Sequence, residues 1–375
     1  MSQRVHDGPT IQPLAQDVGG SGQAVQQEGR FMGESVKVQQ DASSLIQDAA
    51  EELTFSASED VERKLSERKE GKDKARSLEY ILFYVEKCQD MSQNDLEQLL
   101  KQLMVMNNAR GANLANLVRQ AFTDPTSQHA ALSYARGKLG EQNLDPEKLR
   151  ELGAALDEAI GILEEENGRA INAGYNIAGI QAPELGLTGP SLRVLYRDTV
   201  IDFESYEKTF GSMLNKFGPD EFPKAVEYLI RALGNDMSAV TPSSPKAALK
   251  EVMDGLYMVE SLGTIYKEAA NLLAKTTAQR GSLPGLSEKA IIEPLLRYKD
   301  LPMLMPAQVK TEMPFFVTDN AGRDAELSQG VRELARKMPH KLYVSPEARQ
   351  NVLNAFQEIL DDAADREELE MEMEA

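Results

Sequence analysis

Apolar residues in this chain recur at the spacing of one helix face, segment after segment, and almost never alternate as a strand requires. Leu78, Ile81, Leu82 and Val85 fall at i, i+3, i+4 and i+7, which puts them on a single face. Ser92 followed by Asp95 reads as a capping box, and Leu96, Leu99, Leu100, Leu103 and Met104 form the stripe behind it. Leu114, Leu117, Val118 and Phe122 make a third stripe, closed by Asp124-Pro125. A fourth helix starts near Thr126. Asp145-Pro146 then opens a fifth, since Asp accepts from free N–H groups and Pro at the first position loses no needed donor. Its stripe runs from Leu149 to Leu163 and stops at Glu164–Gly168, with a weaker helical segment over Ile171–Ile180.

Gly and Pro divide the rest. Gln181–Ser191 holds two of each and marks a boundary; Gln279–Ser287 marks a second. Between them lie one helix with Tyr206, Phe210, Met213, Leu214 and Phe217, and another with Phe222, Val226, Leu229, Ile230 and Leu233, separated at Gly218-Pro219-Asp220. A third helix follows Ser244-Pro245, and the spacing has Gly263 interrupt it before Ile265–Leu273. After the second boundary come stripes at Ile291–Leu296, Leu327–Ala335 and, capped by Ser345-Pro346, Val352–Leu360. Phe315–Val317 and Lys341–Val344 are short enough for loop or edge pieces. No Asn-Gly or Asp-Gly joins two alternating runs, so hairpins are not expected. The fold class read from the pattern is all-α: three consecutive helical domains behind a disordered N-terminal segment. The bounds are 1–40 for the disordered segment, 41–76 for a charged linker, then 77–182, 187–278 and 285–375, the last ending in an acidic tail.

The N-terminal 40 residues are rich in Gln, Gly, Ser and Pro, with isolated apolar residues that cannot offset the entropy of ordering. They read either as a plain disordered tail or as an uncleaved export signal; they lack the apolar stretch of a cleaved secretory signal. Leu45, Ile46, Leu53 and Phe55 are sparse apolar anchors in the polar segment that follows, and Glu59–Arg76 is nearly all charge of both signs.

Chemistry is thin. Three His and one Cys in 375 residues leave little for a zinc site and nothing for an internal disulfide. The net charge of −19 argues against a nucleic-acid footprint or an anionic-membrane clamp. No stretch approaches the roughly 18 apolar residues of a membrane span, and no Walker loop is present. Cys88 has no His near it in sequence, and His129 reads as a helix-surface or partly packed residue. Phe222, Tyr228 and Tyr257 fit core packing or interface anchors. The acidic runs at Glu164–Glu166 and Glu367–Glu374 lack calcium-loop spacing and read as solvated faces. No catalytic residues, cofactor, metal or small-molecule substrate are expected.

Four stretches in order resemble the gatekeeper family of bacterial type III secretion, the YopN, MxiC, InvE and HrpJ group. They are AFTDPTSQHAALSYARGKL, LRVLYRDTVIDFESYEKTFGSMLNKFG, the run from AVEYLIRALG to VESLGTIY, and a TyeA-like final unit at 285–375. The resemblance implies three bundles of X-bundle type and an N-terminus serving as secretion signal and chaperone-binding segment. It implies a regulator without enzymatic activity that sets the order and timing of translocator and effector export by binding proteins at the cytosolic face of the export apparatus. It places the protein in the bacterial cytoplasm, peripheral to the inner membrane at that apparatus, and has it secreted or displayed on the cell surface in turn. Implied partners are export-apparatus components, secretion chaperones and translocators. On that footing Leu45, Ile46, Leu53 and Phe55 are candidates for a chaperone contact, and Glu367, Glu368 and Glu370 for a basic partner surface. The alternatives are a secreted effector or translocator accessory acting in the host cell, and a generic helical adaptor.

Overall fold

The computed structural model describes residues 78–88, 91–106, 109–241, 244, 246–281 and 284–374. The segments at 1–40 and 41–76, with Leu45, Ile46, Leu53 and Phe55, lie outside the described residues, as does the Cys88 side chain. Twelve helices and no strand occupy what is described. The first five are α1 (Leu78–Cys88), α2 (Gln93–Val105), α3 (Gly111–Ala121), α4 (Pro125–Lys138) and α5 (Pro146–Ile177). Next come α6 (Gly189–Tyr196), α7 (Tyr206–Ser238) and α8 (Lys246–Arg280). The last four are α9 (Glu288–Tyr298), α10 (Pro306–Glu312), α11 (Ala321–Lys337) and α12 (Pro346–Glu374).

Helix starts follow local chemistry. Ser92 and Asp95 form the reciprocal box, each side chain accepting the other's backbone N–H at 3.1 Å. Asp145 caps α5 ahead of Pro146, and Thr188, Ser205, Ser287 and Asn320 cap α6, α7, α9 and α11 in the same way. The helices bury two apolar clusters. One gathers α1–α5 around Leu96, Leu103, Leu114, Val118, Leu132 and Leu156. The other runs from the end of α5 through α12, around Phe210, Phe222, Leu229, Leu295, Phe316 and Phe356. Each fully buried Leu or Phe contributes about 1.5–3 kcal/mol, an upper estimate that assumes an extended unfolded chain.

Two expected breaks are bends in continuing helices. The stop at Glu164–Gly168 is a kink at Asn167 (φ −133°, ψ 22°), after which α5 resumes and buries Ile171, Tyr175 and Ile177. The separation at Gly218 is a kink inside α7, where φ of +75° requires glycine. Gly263 corrects the sequence reading: α8 passes through it without interruption. A Cβ there would lie 2.8 Å from Val226 Cγ1 on α7, so the glycine lets α7 and α8 approach rather than breaking a helix. Gly263→Val is expected to destabilise by about 1–3 kcal/mol through overpacking, read as a lower urea midpoint. Phe315–Phe316 and His340–Leu342 lie in short 3-10 turns.

Glu312 closes the α9–α10 corner. It accepts from Tyr298 OH at 3.0 Å, Arg297 Nη2 at 2.9 Å and Gln308 Nε2 at 3.0 Å. Burial alone would raise its pKa, but these hydrogen bonds and the Arg297 charge outweigh burial and hold it below the ordinary value. A depressed carboxylate stabilises fully above its unfolded pKa, about 4.3, and the stabilisation is lost as pH falls through the folded value. The urea midpoints of wild type and Glu312→Gln should therefore differ at pH 6 and converge toward pH 3.

Candidate protein-interaction surfaces

Two buried carboxylates in this fold join helices through hydrogen bonds. Asp124 caps α4, accepting from Ser127 N at 3.1 Å. It also takes Arg193 of α6 as a fork, Nε to Oδ1 at 2.9 Å and Nη2 to Oδ2 at 3.1 Å. Arg193 Nη2 donates further to Ser127 Oγ at 3.1 Å. The two side chains are only 4% and 1% exposed. A planar guanidinium matches a carboxylate in this way, and a point charge would not.

A second node sits at Asp236 on α7. Its carboxylate accepts from Arg169 Nη2 at 2.6 Å and Asn176 Nδ2 at 2.8 Å, both on α5, and from Tyr196 OH at 2.7 Å on α6. Arg169 also donates to Glu251 on α8 at 3.1 Å. Burial and the adjacent Asp236 charge push the Tyr196 phenol up, so it stays a donor. One carboxylate thus ties three helices, and its arginine reaches a fourth.

His129 is buried, which excludes the helix-surface alternative and goes beyond partial packing. It sits 3% exposed on α4, Nδ1 2.9 Å from Tyr175 OH and Nε2 3.1 Å from Glu164 Oε1. Ser133 Oγ lies 3.4 Å from the same Nδ1, which gives a superficial Ser-His-acid grouping. Ser133 lies mid-helix, where neighbouring N–H groups are committed to the helix ladder, so the grouping offers no oxyanion hole. The contacts are structural. His129→Ala is expected to lower stability by about 1–3 kcal/mol by removing a buried ring and its hydrogen bond to Tyr175, measured by thermal melting.

Among the described residues no group of three or more His, Cys, Asp and Glu is placed to hold a metal ion, and no helix is long and apolar enough to cross a membrane. Phe222 and Tyr228 are core residues, 0% and 1% exposed, and Tyr257 is half-buried. In the C-terminal acidic run, Glu368 and Glu370 are exposed on α12, while Glu367 is half-buried with its carboxylate over Gly322 in the first turn of α11. That position favours a carboxylate by the helix dipole. Arg366 beside it turns inward to Asp324 at 2.9 Å. The three glutamates singled out from sequence are therefore not equivalent: two face outward and one is part of the fold. The Asp124–Arg193 and Asp236 nodes escaped the sequence reading; the one available signal was an arginine inside the apolar run Leu192–Tyr196.

With its two largest buried polar nodes joining helices, this is an all-helical scaffold. Residues 54–217 match the HrpJ-like domain and residues 291–369 match TyeA. Outer membrane protein YopN of Yersinia pseudotuberculosis serotype I (strain IP32953) is 26% identical over 244 residues, 63% of this chain and 82% of that protein. The protein of the same name from Yersinia pestis gives the same identity and coverage. Methylated Shigella flexneri MxiC, a solved structure, is 21% identical with a TM-score of 0.53, over 76% of this chain and 99% of that one, a likeness of fold. The chain belongs to the type III secretion gatekeeper family. Members of that family are regulators rather than enzymes.

Proposed function

We propose that this protein sets the order and timing of type III export, retaining effectors while translocators pass, by binding other proteins at the cytosolic face of the export apparatus. The observation that carries the reading is the succession of an HrpJ-like domain and a TyeA domain on one chain. Its mechanism is reversible association and needs no bond chemistry. It works as consecutive helical units at 77–182, 187–278 and 285–375, peripheral to the inner membrane, and is itself exported through a signal in residues 1–40. Leu45, Ile46, Leu53 and Phe55 are the contact for a secretion chaperone. The exposed Glu368 and Glu370, with Glu367 beside them, meet a basic partner surface, where like-for-unlike charge sets encounter rate and specificity more than affinity.

An in-frame deletion tests the reading. Export of translocators and effectors, followed over time, should lose its order and regain it on complementation with the full chain. Unchanged order in the deletion strain would remove the gatekeeper assignment.

A further inference from the structure

One margin of the second apolar cluster is left open to solvent. The chain leaves α6 through a five-residue π-turn, Arg197–Ile201, pressed so closely on α8 that a Cβ on Gly255 would meet Val200 Cγ1 at 2.7 Å. π-turns are rare and recur at functional sites, because they re-aim the chain that follows. Here the turn delivers Phe203 to the surface, 37% exposed, its ring edge-on to Tyr206 at 5.2 Å. Lys299 Nζ lies over the Tyr206 ring at 5.3 Å, and the Lys299 carbonyl accepts from Val344 N at 3.2 Å. Beyond Lys299 the α9–α10 loop exposes Met303 and Met305 at 69% and 56% while burying Leu304 between them. Asn351 Nδ2 donates to the Pro302 carbonyl at 2.6 Å and fastens this loop to α12. Val344 is 65% exposed.

Phe203, Met303, Met305 and Val344 thus come from three segments that are bonded or stacked on one another through Tyr206, Lys299 and Asn351. The rim is negative where it meets solvent. Asp198, Asp202, Glu204 and Asp300 are 56%, 63%, 66% and 58% exposed, whereas Arg197 and Lys299 are tucked in at 27% and 7%. Two cations also reach solvent at this margin: Lys208, paired with Glu204, and Lys341, whose Nζ lies 6.0 Å from the centre of the Tyr257 ring. Aromatic anchors and adaptable methionines are the residues that protein partners bury, and an acidic rim selects against an anionic membrane.

The geometry points to a docking surface, centred on Phe203, Met303, Met305 and Val344, for an amphipathic partner helix whose apolar face is flanked by Lys or Arg. The assignment goes beyond the control of export order and stands independently of it. The test uses the full chain with its 15 methionines labelled with carbon-13 at the methyl groups, titrated with a Lys/Leu amphipathic helical peptide. Single Met→Leu variants assign the resonances. Met303 and Met305 should shift saturably while Met371 and Met373, exposed on the acidic end of α12, stay still. The double variant Phe203→Ser, Val344→Ser should bind about tenfold or more weakly while its helical circular dichroism stays that of the wild type. Shifts confined to Met371 and Met373, equal binding by a peptide with Glu in place of Lys, or undiminished binding by the double variant would overturn it. So would Met303 and Met305 responding instead to phosphatidylglycerol vesicles, or to protein concentration without peptide.

Discussion

Arg193→Met is expected to lower folding stability by about 3–5 kcal/mol, because it strands a buried charge rather than because it removes a favourable pair. The Asp124 carboxylate is 1% exposed; without the guanidinium it keeps only the Ser127 backbone N–H of its own helix cap. Methionine restores much of the volume, so packing loss contributes little. Asp124→Asn keeps an oxygen for the cap but turns a donor toward Arg193, and by itself it should be nearly as costly. The double variant removes the unpaired charge and should recover part of the loss. Urea unfolding of all four proteins gives the coupling directly. Strict additivity would show that the two side chains act independently and would overturn this account.

Asp236→Ala carries the second large effect, again about 3–5 kcal/mol. It leaves Tyr196 OH, on a residue 1% exposed, and Asn176 Nδ2 without their acceptor, while Arg169 falls back on the exposed Glu251. Asp236→Asn should lie between the two, since one amide oxygen can still accept while its NH2 opposes a donor. Breaking the exposed pair Glu204–Lys208 should leave the urea midpoint essentially unchanged, since solvent screens it. Hydrogen exchange should locate the Asp236→Ala damage at the end of α5 and in α6. Protection unchanged there, or a loss no larger than that of the surface pair, would contradict the assignment.

The sequence carried the helices themselves, since each apolar stripe is a local pattern with its own start signal. Ser92 with Asp95 and Asp145-Pro146 each announce a helix within four residues, and both caps form as read; Asp124-Pro125 reads only as the close of the third stripe, yet Asp124 caps the next helix. What sequence could not carry is what depends on a distant partner. Gly263 read as a break because its reason for being glycine, Val226, lies on another helix. His129 stayed open between a helix-surface and a partly packed residue because its partners are 35 and 46 positions away. Arg193 and Asp124 are separated by 69 positions, and nothing in either neighbourhood names the other. Among the described residues, the candidate surface of Phe203, Met303, Met305 and Val344 was equally hidden. A stripe reveals which residues go inside, whereas leaving apolar residues outside is legible only once three segments are placed together.

The end of α5 belongs to both apolar clusters: Ile171 and Tyr175 pack into the first, Ala173 and Ile177 into the second. A force applied at the N-terminal side therefore finds no seam at which to pause. Stripping α5 from the first set of helices drags two core residues out of the next, so the described helices should yield in one cooperative rupture instead of stepwise. A machine that threads unfolded chains would face a single mechanical barrier at this shared helix. Once past it, the remaining helices would have lost the strut against which α6 and α7 are braced.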